Sequence, residues 1–247
     1  HVIKSVIHFE GMMVTNQPTA MILAAGRGTR MGELGEKCPK ALLKINGTPL
    51  IHYHLEKLRK VGFNRIVINV CHLADQIKQF IADQYRSTAE IVISQEDVPL
   101  ETAGGIANAL KHIRNDIFPV INADIYSELP FHRLNEAISR LNNSPDKSGC
   151  LFMVPNPAHH LKGDFCLAET QLKLGGEERL TFSGIGVYRA AMFSGISENT
   201  SFALAPILKR EINRGQMLGE LVSEYWSDVG TPERLEDVNR FVALSGQ

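Results

Sequence analysis

Short apolar runs rich in isoleucine and valine alternate along the chain with segments whose apolar residues recur at helical spacing. Residues 20–25, 65–70, 89–94, 118–123 and 149–154 are of the first kind, each short enough and continuous enough to be a buried strand. Between them, residues 49–61 open on a proline and carry Leu50, Ile51, Leu55 and Leu58 on one stripe, which predicts a helix. Residues 73–83, 104–113 and 131–141 also read as helices. Strands that alternate with helices predict βαβ units, and so a mostly parallel sheet covered on both faces. After Val154 the pattern changes. Residues 163–169 and 180–188 read as strands with little helix between them, so part of the sheet there is expected to be antiparallel. Helices over 201–214 and 232–244 close the chain. The expected fold class is α/β: a three-layer α/β/α, Rossmann-like domain around a mixed, mostly parallel central sheet.

No internal repeat, low-complexity tract or linker breaks residues 19–247, which read as a single domain with a second lobe, residues 155–247, on a shared sheet. Residues 1–18 read as a leader or expression remnant. Their apolar run Val6-Ile7-His8-Phe9 is too broken for a signal-peptide core, Met12, Met13 and Met21 are all plausible starts, and Pro18 separates the segment from the first apolar strand.

Composition narrows the function. The chain has 247 residues, 21% of them charged, with a formal net charge of -1. A nucleic-acid binder working by phosphate neutralisation would show a basic surplus, so that class is disfavoured. A small anionic ligand needs only a local cluster of cations. Cys38, Cys71, Cys150 and Cys166 are scattered without CxxC spacing, as reduced thiols of a cytoplasmic protein would be. No apolar stretch is long enough to span a bilayer, so no membrane partner is expected.

The most informative stretch is Met21-Ile22-Leu23-Ala24-Ala25-Gly26-Arg27-Gly28-Thr29-Arg30-Met31. A strand ends in small residues, against which a flat base or ribose can lie. Two glycines then permit the positive φ that turns successive N–H groups towards phosphate oxygens. Met31 stands where a dinucleotide fingerprint needs its third glycine, and no Gly-Lys-Ser/Thr comes after it as a Walker A loop requires. Alone, the loop is equally an ordinary βα turn with two solvated arginines. Lys37-Cys38-Pro39-Lys40-Ala41-Leu42-Leu43 lies close behind it, with Pro39 fixing the backbone just before Lys40.

L-A-A-G-x-G-x-R-M followed by P-K-x-L resembles the signature of the sugar-nucleotide pyrophosphorylases, the nucleoside-triphosphate transferases that join a nucleotide to a sugar 1-phosphate. The resemblance runs from Ala20 nearly to the C-terminus. Gly163-Asp164-Phe165, Thr181-Phe182-Ser183-Gly184-Ile185, Phe202-Ala203-Leu204-Ala205-Pro206 and Trp226-Ser227-Asp228-Val229-Gly230-Thr231 are similar to the N-acetylmuramate α-1-phosphate uridylyltransferase branch, which serves cell-wall (peptidoglycan) recycling. The resemblance implies UTP and a sugar 1-phosphate as substrates. It also implies a nucleotide-binding part (19–154) and a sugar-binding part (155–247). No further C-terminal domain is expected, and the chain should be a monomer.

Nucleotidyl transfer brings two polyanions face to face, and a divalent cation bridging the phosphates is the usual way to offset their repulsion. Mg²⁺ takes oxygen ligands, including one or two carboxylates. Asp124 ends the strand Phe118-Pro119-Val120-Ile121-Asn122-Ala123, at the edge where open α/β sheets bind ligands. Asp228 precedes Gly230 and a helix entry, and so reads equally as a cap. The resemblance makes both metal ligands and places Arg30, Lys40, Asp124 and Asp228 in the catalytic set. The family has glycine before the first aspartate and this chain has Ala123, whose methyl is expected to narrow the sugar pocket.

Leu100-Glu101-Thr102-Ala103-Gly104-Gly105-Ile106 lies between a strand and a helix, and is expected to offer free helix-start N–H groups to a ligand. In the family this loop lies against the base. The expected nucleotide contacts are therefore Leu23, Ala24, Ala25, Gly26, Gly28, Thr29, Arg30, Lys40, Glu101, Thr102, Gly104 and Gly105, with Gln95 and Glu96 near a base edge. Asn122, Asp164, Ser183 and Gly184 are expected at the sugar. His52 and His54 lie two apart on a helix and His159-His160 lacks metal spacing, so all four read as structural. No Ser-His-Asp or Cys-His pattern argues for a protein nucleophile. Glucose or mannose 1-phosphate with UTP, dTTP or GTP is the alternative within the same chemistry, and a non-catalytic nucleotide-sugar-binding subunit is the alternative outside it.

Overall fold

The computed structural model describes residues 18–86 and 88–245, so the segment read as a leader lies, but for Pro18, outside the described residues. In chain order the elements are β1 (Thr19–Leu23), α1 (Glu33–Lys37), β2 (Lys44–Ile45), β3 (Thr48–Pro49), α2 (Leu50–Lys60), β4 (Arg65–Val70), α3 (Ala74–Gln84) and β5 (Glu90–Gln95). Next come α4 (Glu101–Ala109), β6 (Ile117–Asn122), β7 (Ile125–Ser127), α5 (His132–Asn142), β8 (Gly149–Val154), β9 (Phe165–Ala168) and β10 (Gln171–Lys173). The chain ends with β11 (Arg179–Arg189), α6 (Leu204–Asn213), β12 (Met217–Leu221), β13 (Trp226–Asp228) and α7 (Pro232–Ser245).

Nine strands form the main sheet in the order β5-β4-β1-β6-β11-β8-β12-β10-β9. The β5-β4-β1-β6 half is parallel, as the alternation of strand and helix requires. β11 then runs antiparallel to both β6 and β8, and β12 returns parallel to β8. The sheet is thus mixed, with only β11 and β10 running against the rest.

Alternate residues of each strand feed two separate cores. Ala20 and Ile22 of β1, Ile66 and Ile68 of β4 and Ile121 of β6 pack with Leu55 of α2, Ile77 of α3 and Leu134 of α5. Met21, Val67, Phe118 and Val120 face the other way, against Ile106 of α4 and Ile207 and Leu208 of α6. The period of two within one strand therefore makes three layers. A third, smaller core joins the β2-β3 hairpin to α7 through Leu43, Ile45, Val229 and Val238.

Two helices start where the pattern did not place them. α4 begins at Glu101, so Gly104 and Gly105 lie inside it; α6 begins only at Leu204. Both displacements come from one contact. Residues 201–203 carry no regular structure, and the Phe202 carbonyl accepts the N–H groups of Ala103 and Gly104 while the Phe202 N–H donates to the Leu100 carbonyl. The short helix α1 and strands β2, β3, β7, β10, β12 and β13 were not anticipated. Among the described residues no helix is long and apolar enough to cross a membrane, and the four cysteines form no disulfide.

Candidate active site

The carboxyl ends of β1, β4, β6 and β8 share one edge of the sheet, because those strands run in one direction. In open α/β sheets ligands bind at that edge. The glycine loop leaves it after β1, Asp124 after β6, and the loop carrying His159 and His160 after β8.

The glycine loop folds as its residues allow. Gly28 takes φ 67°, a left-handed value, and leads into a single 3-10 turn over Thr29–Met31. A Cβ on Gly28 would lie 3.3 Å from Cγ of Lys40, so the glycine also lets the lysine stem pass close by. Pro39, with φ -64° and ψ 141°, sets Lys40 at the start of the next turn. From there Lys40 Nζ reaches Oδ2 of Asp124 at 2.8 Å.

Asp124 and Asp228 are brought together by the small sheet β7-β13, in which Ile125 is the partner of Asp228. The Val229 N–H donates to the Asp124 carbonyl at 2.7 Å, which locks the two turns to each other. Asp228 is held by Arg234 Nη1 at 3.1 Å from Oδ1 and 3.0 Å from Oδ2, and by His159 Nε2 at 3.0 Å. Arg234 arrives from the first turn of α7, and Gly230 leaves it room, since a Cβ there would lie 2.2 Å from the guanidinium as it stands.

A bulge in β11, between Phe182 and Gly186, places Ser183 and Gly184 at the same edge. Gly184 has φ 81°, and a Cβ would meet Nδ2 of Asn122 at 2.7 Å. The Trp226 indole donates to the Ser183 carbonyl at 2.8 Å and so ties β13 to the bulge. Beside it, Asp164 accepts the Phe182 N–H at 2.8 Å and pairs with His160 Nε2 at 3.0 Å.

These groups border a connected set of cavities. Leu23, Ala24, Ala25, Gly26, Lys40, Glu101 and Thr102 line one, with Arg27, Asn69, Glu96 and Ala123. Gly28 and Thr29 line a second, with Cys71, His72 and Asp97. Arg30, Asp124 and Asp228 line a third with Ser183, Gly184, His159, His160 and Trp226. Asp164 lines a fourth, with Phe165, Phe182 and Leu208. Asn122 borders the first, third and fourth, and so stands at their junction.

Three expectations need correction. The Gly104 N–H is not free, because it is bonded to Phe202. Gly104 and Gly105 serve close packing: a Cβ would lie 2.2 Å from the Thr200 carbonyl at the first, and 2.7 Å from Asn69 Nδ2 and Glu96 Oε1 at the second. Ala123 borders the first cavity and not the sugar-side ones. His159 and His160 are not merely structural loop residues, since each grips an aspartate at the edge. Their position after β8 was the available signal, because β8 had to run parallel to β6 for its loop to land there.

Glu96 is almost fully buried, and burial pushes its carboxyl above the usual range, countered by hydrogen bonds from Leu100 N–H and Asn69. Asn69 also accepts the Ala24 N–H at 2.9 Å, so one polar chain joins the glycine loop to α4. Among the described residues no three His, Cys, Asp or Glu side chains cluster as a complete metal cage. Asp124 and Asp228 supply two carboxylates on one cavity, the kind of partial oxygen donor set that a divalent cation completes with phosphate and water.

Residues 20–168 match the family described as the MobA-like NTP transferase domain. The chain belongs to this family. The transferase is 40% identical to the N-acetylmuramate α-1-phosphate uridylyltransferase of Neisseria meningitidis serogroup B, over 92% of this chain and 98% of that protein. It is 31% identical to the enzyme of the same name from Caulobacter vibrioides, over 87% and 92%. The fold is that of HddC from Yersinia pseudotuberculosis, solved with GMP-PN, at a TM-score of 0.75 and 22% identity, covering 91% of this chain and 99% of that one. The transferase is therefore an enzyme of the nucleotidyltransferase class that acts on sugar 1-phosphates.

Proposed function

We propose that the enzyme transfers the uridylyl group of UTP to N-acetylmuramate α-1-phosphate, releasing pyrophosphate, and serves cell-wall recycling. The 40% identity with the Neisseria enzyme over nearly the whole of both chains carries this reading. The sugar-phosphate oxygen is already ionised at neutral pH, so the protein needs no nucleophile of its own and its task is to align two anions. Lys40, beside Asp124, and Arg30, which lines a cavity with Asp124, are the cations that would meet the phosphates. The small residues Ala24, Ala25 and Gly26 give the nucleoside a flat floor, and Glu96 and Asn69 hold that floor to α4. Asp124 and Asp228 would hold Mg²⁺, which when bound supplies the positive charge that screens the phosphates from each other. Arg234 and His159 fix the Asp228 carboxylate until then.

The test is a panel of nucleoside triphosphates and sugar 1-phosphates with Mg²⁺, scored by pyrophosphate release. The expected result is the highest kcat/KM for UTP with N-acetylmuramate α-1-phosphate. A preference for glucose or mannose 1-phosphate, or for GTP or dTTP, overturns the substrate assignment, and no release with any pair overturns catalysis.

A further inference from the structure

β11 parts from its neighbours at one place. Phe182 pairs with Met153 and Gly186 with Leu151, so Ser183, Gly184 and Ile185 together oppose Phe152 alone. On its other side β11 pairs with β6 over Ile185–Arg189 and no further. Ser183 and Gly184 therefore have no partner residue in either neighbouring strand. Continued by one residue, the β6 register sets Gly184 opposite Asn122. The Asn122 amide fills the space that the glycine leaves, since a Cβ there would lie 2.7 Å from its Nδ2.

A bulge releases backbone polar groups from the ladder, and buried ones must find other partners. Here side chains supply them. The Phe182 N–H donates to Asp164 Oδ2 at 2.8 Å, and the Ile185 N–H donates to Ser183 Oγ at 3.2 Å. The Ser183 carbonyl accepts the Trp226 indole N–H at 2.8 Å. Ser183 is only 1% exposed, so water does not take the place of the indole. The bulge is thus held from two directions, by Asp164 at the entry to β9 and by Trp226 of β13. The other oxygen of Asp164 pairs with His160 Nε2 at 3.0 Å, so the protein's own groups engage both carboxylate oxygens. Trp226 stands two residues before Asp228 on β13, on the same face, and both line the cavity with Ser183 and Gly184.

We propose that Asp164 and Trp226 are positioning residues for the sugar phosphate: they hold the β11 bulge open, so that Ser183 and Gly184 stand against Asn122 where the sugar binds. Asp164 then acts through the Phe182 N–H and not by touching the sugar, and Trp226 acts through the Ser183 carbonyl. This rests on the reading of the enzyme as a sugar-1-phosphate transferase and assigns to two side chains a role in that reaction one step removed from the ligand. It also accounts for three side chains serving the main chain of so short a segment.

The test measures KM for N-acetylmuramate α-1-phosphate and for UTP in Asp164→Ala, Asp164→Asn, Trp226→Phe and the double variant Asp164→Ala/Trp226→Phe. If another sugar 1-phosphate leads the substrate panel, that one is the probe. Asp164→Ala should raise the sugar-phosphate KM by about tenfold or more, the usual worth of a hydrogen bond to a charged group. In Asp164→Asn the amide oxygen still accepts the Phe182 N–H, so KM should return to within about threefold of wild type, as a neutral acceptor allows. Trp226→Phe keeps the ring and loses only the N–H, and should raise the sugar-phosphate KM by about fivefold. KM for UTP should stay within about twofold in every variant, since a general weakening of the fold would not single out one substrate. The double variant should lose no more than about threefold beyond Asp164→Ala, because both act on one bulge. Amide hydrogen exchange in the ligand-free protein should show Phe182 losing protection in Asp164→Ala and keeping it in Asp164→Asn. Asp164→Asn as damaging as Asp164→Ala, an unchanged sugar-phosphate KM in Trp226→Phe, a loss shared with UTP, or losses that multiply in the double variant each overturn the proposal. No pyrophosphate release by wild type with any sugar 1-phosphate overturns the catalytic reading instead.

Discussion

Replacing Gly105 by alanine adds one methyl group where two polar atoms already stand. A Cβ there would lie 2.7 Å from both Asn69 Nδ2 and Glu96 Oε1, and those two atoms are themselves hydrogen-bonded at 2.7 Å. The methyl can be fitted only by pushing α4 away from β4 or by breaking the Asn69–Glu96 pair. Overpacking of this kind costs about 1–3 kcal/mol. Separating a buried carboxylate from its donor costs about 1–3 kcal/mol. Alanine returns about 1 kcal/mol of helix propensity over glycine. Because the two are alternatives only one cost is incurred, so the net is a loss of about 1 kcal/mol, and at about 2–4 °C per kcal/mol for a chain of this size the melting temperature should fall by roughly 2–4 °C.

The same displacement has a functional signature. Asn69 accepts the Ala24 N–H, and Ala24, Asn69 and Glu96 all border the cavity floored by the glycine loop. KM for the nucleoside triphosphate should therefore rise severalfold, with a smaller effect on the sugar phosphate. Thermal unfolding and initial-rate kinetics measure both. Gly195→Ala is the control, since a Cβ there meets nothing within 4 Å and should change stability by under about 0.5 kcal/mol. If Gly105→Ala melts within a degree of wild type with an unchanged KM, close packing is not what requires a glycine at this position.

Asp124→Asn and Asp228→Asn should each remove most activity with little change in melting temperature, and the double variant should lose scarcely more than either single one, as groups acting as a unit do; full activity of either variant at low Mg²⁺ refutes the paired role. The buried His54 has its pKa pushed down to about 4 from 6.5, chiefly by burial, with Lys57 adding to it. Its folded-state pKa lies below the unfolded one, so its contribution is intact above pH 6.5 and is lost as pH falls towards 4, by about 3 kcal/mol in full. His54→Leu should flatten that part of the stability-pH curve in urea titrations, and an unchanged slope would show that another group sets it.

β1, β4 and β6 of the parallel half were legible because they are buried on both faces and so read as continuous apolar runs; β4 and β8 were delimited to the residue. β12 was not, because Met217-Leu218-Gly219-Glu220-Leu221 buries only alternate positions and carries a glutamate that pairs with Arg133 and Arg140. β7 and β13 are three residues each and exist only as each other's partner, so no local pattern announces them. Yet that pair is what brings the two aspartates to one cavity. Their meeting was expected only through the family resemblance, since no local pattern announces the strands that bring it about. The glycines of α4 misled for a related reason: a glycine that admits a ligand and one that admits a neighbouring carbonyl look alike until Phe202 is seen to cross the helix.

The polar groups at the sheet edge come as neighbours from distant parts of the chain, and Asp124, Asp228 and Asp164 each have a nitrogen-bearing partner there. Lys40 meets Asp124, Arg234 and His159 meet Asp228, and His160 meets Asp164. Without these partners three carboxylates on adjoining cavities would repel one another and any polyanionic substrate. The pairs differ in how firmly they are held. Both histidines are more exposed than Arg234, whose side chain is 14% exposed, and partly solvated pairs of that kind are worth only about 0–1 kcal/mol. His159 and His160 can therefore change partners at little cost when a phosphorylated ligand enters. Arg234 is anchored on α7 with both Asp228 oxygens in reach, and exchange there means leaving a mostly buried guanidinium unpaired. Asp228 is thus oriented chiefly from α7, and its contact with His159 of the loop after β8 is the weaker of the two.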